Sequence, residues 1–408
     1  MSILIGPFRQ ILTLKNTHLK GVLNDDTLDL IENGGVLCDG EKILEVGSFD
    51  DLVSKADHVS EIESDQVLLP GFVDCHTHLV WGGTRARDYT LRMSGESYEK
   101  ILEQGGGIFD SVAKTRAAEK EELLSGLVRR ANRHLQDGIT TIEVKSGYGL
   151  DVSNELKILE VVKEGNSKVA ADLIPTCLAA HVCPKEFTDK REFLNHIENE
   201  LFPLLQSKQL TNRIDIFVEP SAFPLEIARD YMKAAKKHGF DLTIHADQFH
   251  TGGSQIAVDL GAQSADHLEA STDKEVELLA KSDTIAVALP GASLGLGMQF
   301  TPARKLLDAG ASLAISTDWN PGSGPMGDLL VQASILGIYE KLSSAEIFSG
   351  ITFRAAKALG LEDRGRITKG MKADMISFPV DDYREILYNQ GKIKPSKVWK
   401  NGKEVSNV

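Results

Sequence analysis

The feature that most constrains this chain is an alternation through its middle: a short apolar run followed by an amphipathic stretch, eight times over. Strand-like runs fall at 69–76, 139–145, 172–180, 213–219, 241–246, 262–267, 284–290 and 312–318. Helical periodicity predicts helices over 120–136, 225–238, 273–281 and 302–309. Three of these stretches stop at Gly138, Gly239 and Gly310, where a left-handed residue closes a helix. Eight βα units in series predict a (β/α)8 barrel, an α/β fold. The stretch 91–136 is too long for a plain crossover and predicts an additional loop and helix near the barrel mouth.

The two ends have a different texture. Strands are expected at 10–14, 35–38 and 42–46, with Asp39-Gly40 as a hairpin turn, and again at 373–378 and 397–400, with Asn401-Gly402 as a second turn. This predicts a small β-sandwich domain built from both termini, residues 1–68 and 366–408, around a barrel spanning 69–365. The chain has 408 residues, 42% of them hydrophobic, which suffices for both cores and excludes a disordered chain. Apolar runs fall short of the roughly 20 residues a membrane span needs, and the first residues lack the pattern of a signal peptide. Four cysteines without C-x-x-C spacing predict a reduced, cytoplasmic protein. A net charge of −14 argues against nucleic acid and anionic membrane as partners, so an anionic substrate needs arginine or lysine gathered locally.

In such barrels the chemistry sits at the C-terminal ends of the strands. Of 11 histidines, five fall there: His76, His78, His181, His245 and His267. Glu219 ends the fourth strand and Asp318 the eighth. His76 and His78 are two apart, so on extended backbone they share a face. Neutral imidazole is the commonest metal ligand. With His245 and Asp318 from other strand ends, they predict a centre for one divalent ion, Zn2+ or Fe, with room for a water. The Gly105-Gly106-Gly107 and Pro321-Gly322-Ser323-Gly324 stretches lack the G-K-[ST] of a phosphate loop and are expected to be site loops. Cys75 alternates away from His76 and is expected to be a buried structural thiol.

The run Leu69-Pro70-Gly71-Phe72-Val73-Asp74-Cys75-His76-Thr77-His78 resembles the signature of the amidohydrolase superfamily. Trp81-Gly82-Gly83-Thr84-Arg85, Gln104-Gly105-Gly106-Gly107-Ile108, Glu143-Val144-Lys145-Ser146-Gly147-Tyr148-Gly149, His245-Ala246-Asp247-Gln248, Ser264-Ala265-Asp266-His267-Leu268 and Thr317-Asp318-Trp319-Asn320-Pro321-Gly322-Ser323 are similar, more narrowly, to the imidazolonepropionase family. The resemblance runs from about Leu69 to Gly370. It implies hydrolysis of the lactam ring of 4-imidazolone-5-propanoate, a step of histidine degradation, by a homodimer acting on a small anionic substrate.

On that resemblance, Asp318 carries a proton from water to the departing ring nitrogen, His267 orients the water or stabilises the oxyanion, and His181 donates a hydrogen bond to substrate. Arg85, Tyr98 and Tyr148 hold the propionate and the ring, and Asn320, Gly322 and Ser323 line the opposite side. Some family members carry Glu where this chain has Gln248, which can hydrogen-bond substrate but cannot act as a base. Glu143 and Lys145 alternate onto one strand face, so an internal ion pair is expected rather than a carboxylated lysine bridging two metals. The residues leave open another cyclic-amide hydrolase or an aminohydrolase on the same centre, and a non-catalytic barrel.

Overall fold

The computed structural model describes residues 1–96 and 98–405. Among the described residues, sixteen strands form two sheets. Strands β1 (Ser2–Leu12), β2 (Leu30–Asp39), β3 (Lys42–Ser48), β4 (His58–Glu61) and β5 (Val67–Pro70) come first. Then follow β6 (Phe72–Asp74), β7 (Ile139–Lys145), β8 (Asp172–Ala180), β9 (Arg213–Ile216), β10 (Asp241–Ala246), β11 (Ser264–His267), β12 (Ile285–Ala288) and β13 (Leu313–Ile315). The chain ends with β14 (Met375–Phe378), β15 (Lys397–Lys400) and β16 (Lys403–Glu404).

Strands β6 to β13 pair in chain order, every neighbour parallel, as consecutive right-handed βα units require. The ring closes just beyond the named strands: Asp318 N donates to His76 O at 3.0 Å and His78 N to Trp319 O at 3.0 Å. The helix Lys120–Gln136 has the predicted bounds, and Gly138, Gly239 and Gly310 all have positive φ. The long insertion holds three short helices, Ala86–Met93, Tyr98–Glu103 and Ile108–Ala117.

The terminal strands make one mixed sheet, in the order β16-β15-β14-β5-β1-β2-β3 with β4 on β1. It curls until β3 meets the segment leading into β14, Lys42 bridging to Lys372, around a core that includes Phe8, Val36, Ile43, Leu68, Met375 and Trp399. The expected strand at 69–76 is in fact two. Leu69 and Pro70 pair with Ile376 and Met375 in the terminal sheet, and the barrel begins only at Phe72. Gly71 makes the switch: a Cβ there would collide with the Thr140 side chain. A second tie between the sheets is Asp172 at the start of β8. It receives Lys400 at 2.9 Å, Arg364 at 2.5 Å and Lys372 at 3.4 Å.

Candidate metal centre and active site

The closure of the barrel places the first ligands. Asp74, the last residue of β6, accepts from Thr317 N at 3.1 Å and Thr317 Oγ1 at 2.6 Å, and from Ser316 Oγ. Ser316 Oγ in turn accepts from His76 N at 2.8 Å. Asp74 therefore fixes the tail of β6 against the tail of β13, which sets His76 and His78 beside Asp318. Asp318 Oδ1 lies 3.4 Å from His78 Nε2 and 3.6 Å from His76 Nε2. Ligands about 2.1 Å from a tetrahedral ion stand roughly 3.4 Å apart, so these separations suit a shared ion.

Two triads with converging donor atoms overlap at His76: His76, His78 and Asp318, and His76, His245 and His267. His245 stands 4.5 Å from His76 and 5.6 Å from His78, ring centre to ring centre. The four residues expected to bind metal thus meet at one place, and His267 joins them there. All five are buried. Asp318 and His267 have left-handed backbone, φ 47° and 87°, a costly conformation for non-glycine residues that turns both side chains into the mouth.

The donor set fits a divalent cation. Nε2 of His76 and Nε2 of His245 are buried with no hydrogen-bond partner, a state proteins avoid unless something else satisfies the atom. Burial keeps both rings neutral, holding His76 well below the ordinary histidine range and His245 down to about 4. The opposite ring nitrogens face carboxylates: His76 Nδ1 is 2.7 Å from Asp266 Oδ2, and His245 Nδ1 is 2.9 Å from Asp215 Oδ2. The hydrogen bond to Asp266 puts the proton of His76 on Nδ1 and leaves Nε2 as the donor, the usual support of a metal-bound histidine; Asp215 stands close behind His245 without forming a hydrogen bond to it. Burial alone would raise Asp215, but His245 and Lys145 hold it below the usual carboxylate range. Asp266 is pushed up to about 6 by burial, against the pull of Lys145.

Lys145 lies under these supports, fully buried, 2.8 Å from Glu143, 2.9 Å from Asp215 and 3.7 Å from Asp266. The expected pair with Glu143 is present, and the lysine also reaches the carboxylates behind His245 and His76. Sequence reasoning gave no role to Asp215 or Asp266. The available signal was a charged residue in the middle of a short strand destined for burial on both faces.

The remaining predicted residues divide into those gathered at the centre and those turned to other work. His181 stacks on His78 at 5.4 Å and lies 5.7 Å from Tyr148, whose hydroxyl burial keeps protonated. Its Nδ1 is 3.1 Å from Gly147 O. A carbonyl can only accept, so the ring, kept neutral by burial, carries its proton on Nδ1 and leaves Nε2 as an acceptor. Arg85 is mostly buried, its Nε engaged by Asp88, which also accepts from Gly107 N at 2.9 Å. Its Nη1 lies beside Gly322, where a Cβ would stand 3.2 Å away.

Asn320 Oδ1 accepts from Gly322 N at 2.7 Å and Ser323 N at 2.8 Å, while Nδ2 donates to Asp318 O and Ser323 Oγ. Its hydrogen-bonding capacity is used in folding the loop. Ser323 Oγ also donates to Asp318 Oδ2 at 3.3 Å. Gln248 is nearly buried and makes no hydrogen bond among the described residues. The Tyr98 side chain lies outside the described residues. Glu219 clamps the loop after β10, accepting from Phe249 N at 2.8 Å and from His250 Nδ1 at 2.7 Å. Cys75 is buried in an apolar cluster with Val73 and Ala314, as a structural thiol.

Comparison with known proteins follows the same lines. In solved structures, atrazine chlorohydrolase from Arthrobacter aurescens complexed with zinc matches with TM-score 0.71 at 16% identity, over 98% of this chain and 94% of that one. An adenosine deaminase from Xanthomonas campestris with bound zinc matches with TM-score 0.72 at 18% identity, over 98% and 92%. At such identities the likeness is one of fold. In sequence, the imidazolonepropionase of Bacillus cytotoxicus is 38% identical over 98% of this chain and 96% of its own length. That of Bacillus mycoides is 38% identical over 92% and 90%. The model of the amidohydrolase family matches residues 67–405. With that match and those near full-length relatives, the chain belongs to the amidohydrolase family and, within it, to the imidazolonepropionases.

Proposed function

We propose that this chain opens the lactam ring of 4-imidazolone-5-propanoate with water, giving N-formimidoyl-L-glutamate, the third step of histidine degradation. The observation that carries the reading is the convergence of His76, His78, His245, His267 and Asp318 beside Arg85, in a chain 38% identical to curated imidazolonepropionases. His76, His78, His245 and Asp318 would hold one divalent ion, Zn2+ or Fe. When bound, such an ion lowers the pKa of water towards about 7 and polarises a carbonyl oxygen.

The chain's own residues do the rest. Asp318, held below the usual carboxylate range by His78 despite its burial, takes the proton that water loses on attacking the lactam carbon. As the carbon–nitrogen bond breaks, Asp318 returns that proton to the ring nitrogen. His267 has burial lowering its pKa and Glu269, 3.6 Å away, raising it to a net upward shift; that suits it to stabilise the developing oxyanion. His181 Nε2 accepts from a substrate N–H. With Nε held by Asp88 and Nη1 in a long contact of 3.4 Å with Ser111 Oγ, Arg85 offers its guanidinium edge to the propionate chiefly through Nη2. Tyr148 donates its hydroxyl, Gln248 supplies unused amide groups, Gly322 and Ser323 line the far side, and Asn320 holds that loop in place.

The same reading takes the molecule to be a cytoplasmic homodimer, with a terminal domain of about 1–70 and 366–408 and a barrel domain of about 72–365. No helix among the described residues is long and apolar enough to cross a membrane. The test is elemental analysis of the purified chain joined to an assay of ring opening, with hydantoins, dihydroorotate and purines as competing substrates. One metal equivalent and turnover confined to imidazolone propionate is the expected result. Preferred turnover of another cyclic amide, or of a purine, overturns the assignment.

A further inference from the structure

Beside the proposed active site lies a second concavity of about 560 Å3, walled by Trp81 and Trp319 and lined by Arg129, Arg130 and Arg133 of the helix Lys120–Gln136. No carboxylate lines it. In a chain with 59 acidic residues and 45 basic ones, three clustered arginines without an acidic partner are unexpected. None of the three forms an ion pair among the described residues. Arg130 is only 8% exposed. It donates through Nε to Leu79 O at 2.8 Å and through Nη2 to Trp81 O at 3.3 Å, both neutral acceptors, and Nη1 has no partner.

The rings hold the cations in place. The Arg130 guanidinium lies 3.7 Å from the Trp81 ring centre, and that of Arg133 lies 5.4 Å from Trp319. A mid-helix glycine makes the space: a Cβ on Gly126 would stand 2.7 Å from Arg130 Nη2. Glycine costs a helix interior about 1 kcal/mol relative to alanine, so its presence fits a need for the arginine at this depth. Burial, and then Arg129, lower the Arg130 pKa to about 9, as expected of a guanidinium whose counter-anion is not part of the chain.

We propose that this cleft binds a small dicarboxylate, its charges taken by Arg129, Arg130 and Arg133 and its carbon body lying between the two tryptophan rings. Planar carboxylates match the arginine fork, and a concave, low-dielectric wall strengthens the attraction against the negative field of the rest of the surface. The cleft shares Arg85 and Asn320 with the proposed catalytic pocket, so occupancy bears on the loop that carries Gly322 and Ser323.

The test is a titration of the full, metal-loaded chain with glutarate at low salt, read by tryptophan fluorescence. Two of the three tryptophans, Trp81 and Trp319, wall the cleft, and Trp399 sits in the core of the terminal sheet. The expected result is a saturable change that added salt weakens. A chain carrying Arg129→Ala and Arg133→Ala, both exposed, is expected to bind at least 10-fold more weakly with unchanged circular dichroism. Absence of a saturable change, or equal affinity in the double variant, overturns the proposal. So does glutarate acting only as a competitor of turnover with undiminished strength in that variant, which would assign it to Arg85. Equal binding of inorganic phosphate overturns the dicarboxylate class, and conversion of a dimer to monomers by the double substitution assigns the cleft to a second copy instead. Since binding is read without turnover, failure here leaves the proposed reaction untouched.

Discussion

Replacing Lys145 with methionine tests the claim that one buried cation holds the metal site in its binding form. Methionine keeps most of the volume and removes the charge. At an effective dielectric of about 20, a unit pair at 2.8 or 2.9 Å attracts by about 6 kcal/mol, and one at 3.7 Å by about 4.5 kcal/mol. Desolvation offsets most of this, and breaking a buried ion pair from one side costs a net ~3–5 kcal/mol. At about 2.1 cal/mol/K of unfolding entropy per residue, that loss lowers Tm by about 4–6 °C for 408 residues. The function should suffer separately. Without the lysine, Asp266 and Asp215 shift toward protonation, Asp266 ceases to fix the tautomer of His76 and Asp215 loses its charge behind His245, so metal affinity should fall by about 10–100-fold. Thermal denaturation gives the first number, and metal retained after dialysis against graded chelator gives the second. A variant that melts with the parent and keeps its metal equally well would refute the coupling drawn here.

Three further outcomes are expected. Asp172 is half-buried, with burial raising its pKa and Lys400 and Arg364 bringing it down to about 2. A depressed carboxylate stabilises above its unfolded value and loses that contribution as pH falls, here between about 4 and 2; Asp172→Asn should cost about 2 kcal/mol at pH 7 and flatten the acid limb of a denaturation-versus-pH curve. Gly71→Ala should destabilise by about 1–3 kcal/mol through overlap with Thr140, as a shift in urea midpoint. Asp318→Asn should lower kcat by about 10²–10⁴-fold with the fold intact by circular dichroism, and near-normal turnover would remove Asp318 as the proton carrier.

The barrel was legible because its signals are local. Apolar runs, helical periodicity and closing glycines lie within a few residues of one another, so the helix Lys120–Gln136 and the strands Ile139–Lys145 and Asp241–Ala246 coincide with their predicted bounds. Histidines at strand ends were legible for the same reason: strand polarity alone sends them to one face. What escaped depends on partners distant in sequence. Nothing in Val67–Pro70 says that it pairs with Met375–Phe378 rather than with a barrel strand, since both environments bury both faces. The contact of His181 Nδ1 with Gly147 O joins two loops distant in sequence, so no local pattern announces it. The four hydrogen bonds by which Asn320 folds its own loop are likewise not announced by any local pattern.

The switch at Gly71 has a mechanical meaning. Pro70 is stitched into the terminal sheet and Phe72 into the barrel, so only six peptide links separate the hydrogen-bonded rim of one domain from the first imidazole of the other. No slack exists there to absorb movement. The terminal sheet is thus the anchor post of the ligand-bearing segment, and a barrel cut free of it would lose the tension that aims His76 and His78. Swapping terminal domains between relatives should therefore disturb metal retention before it disturbs solubility.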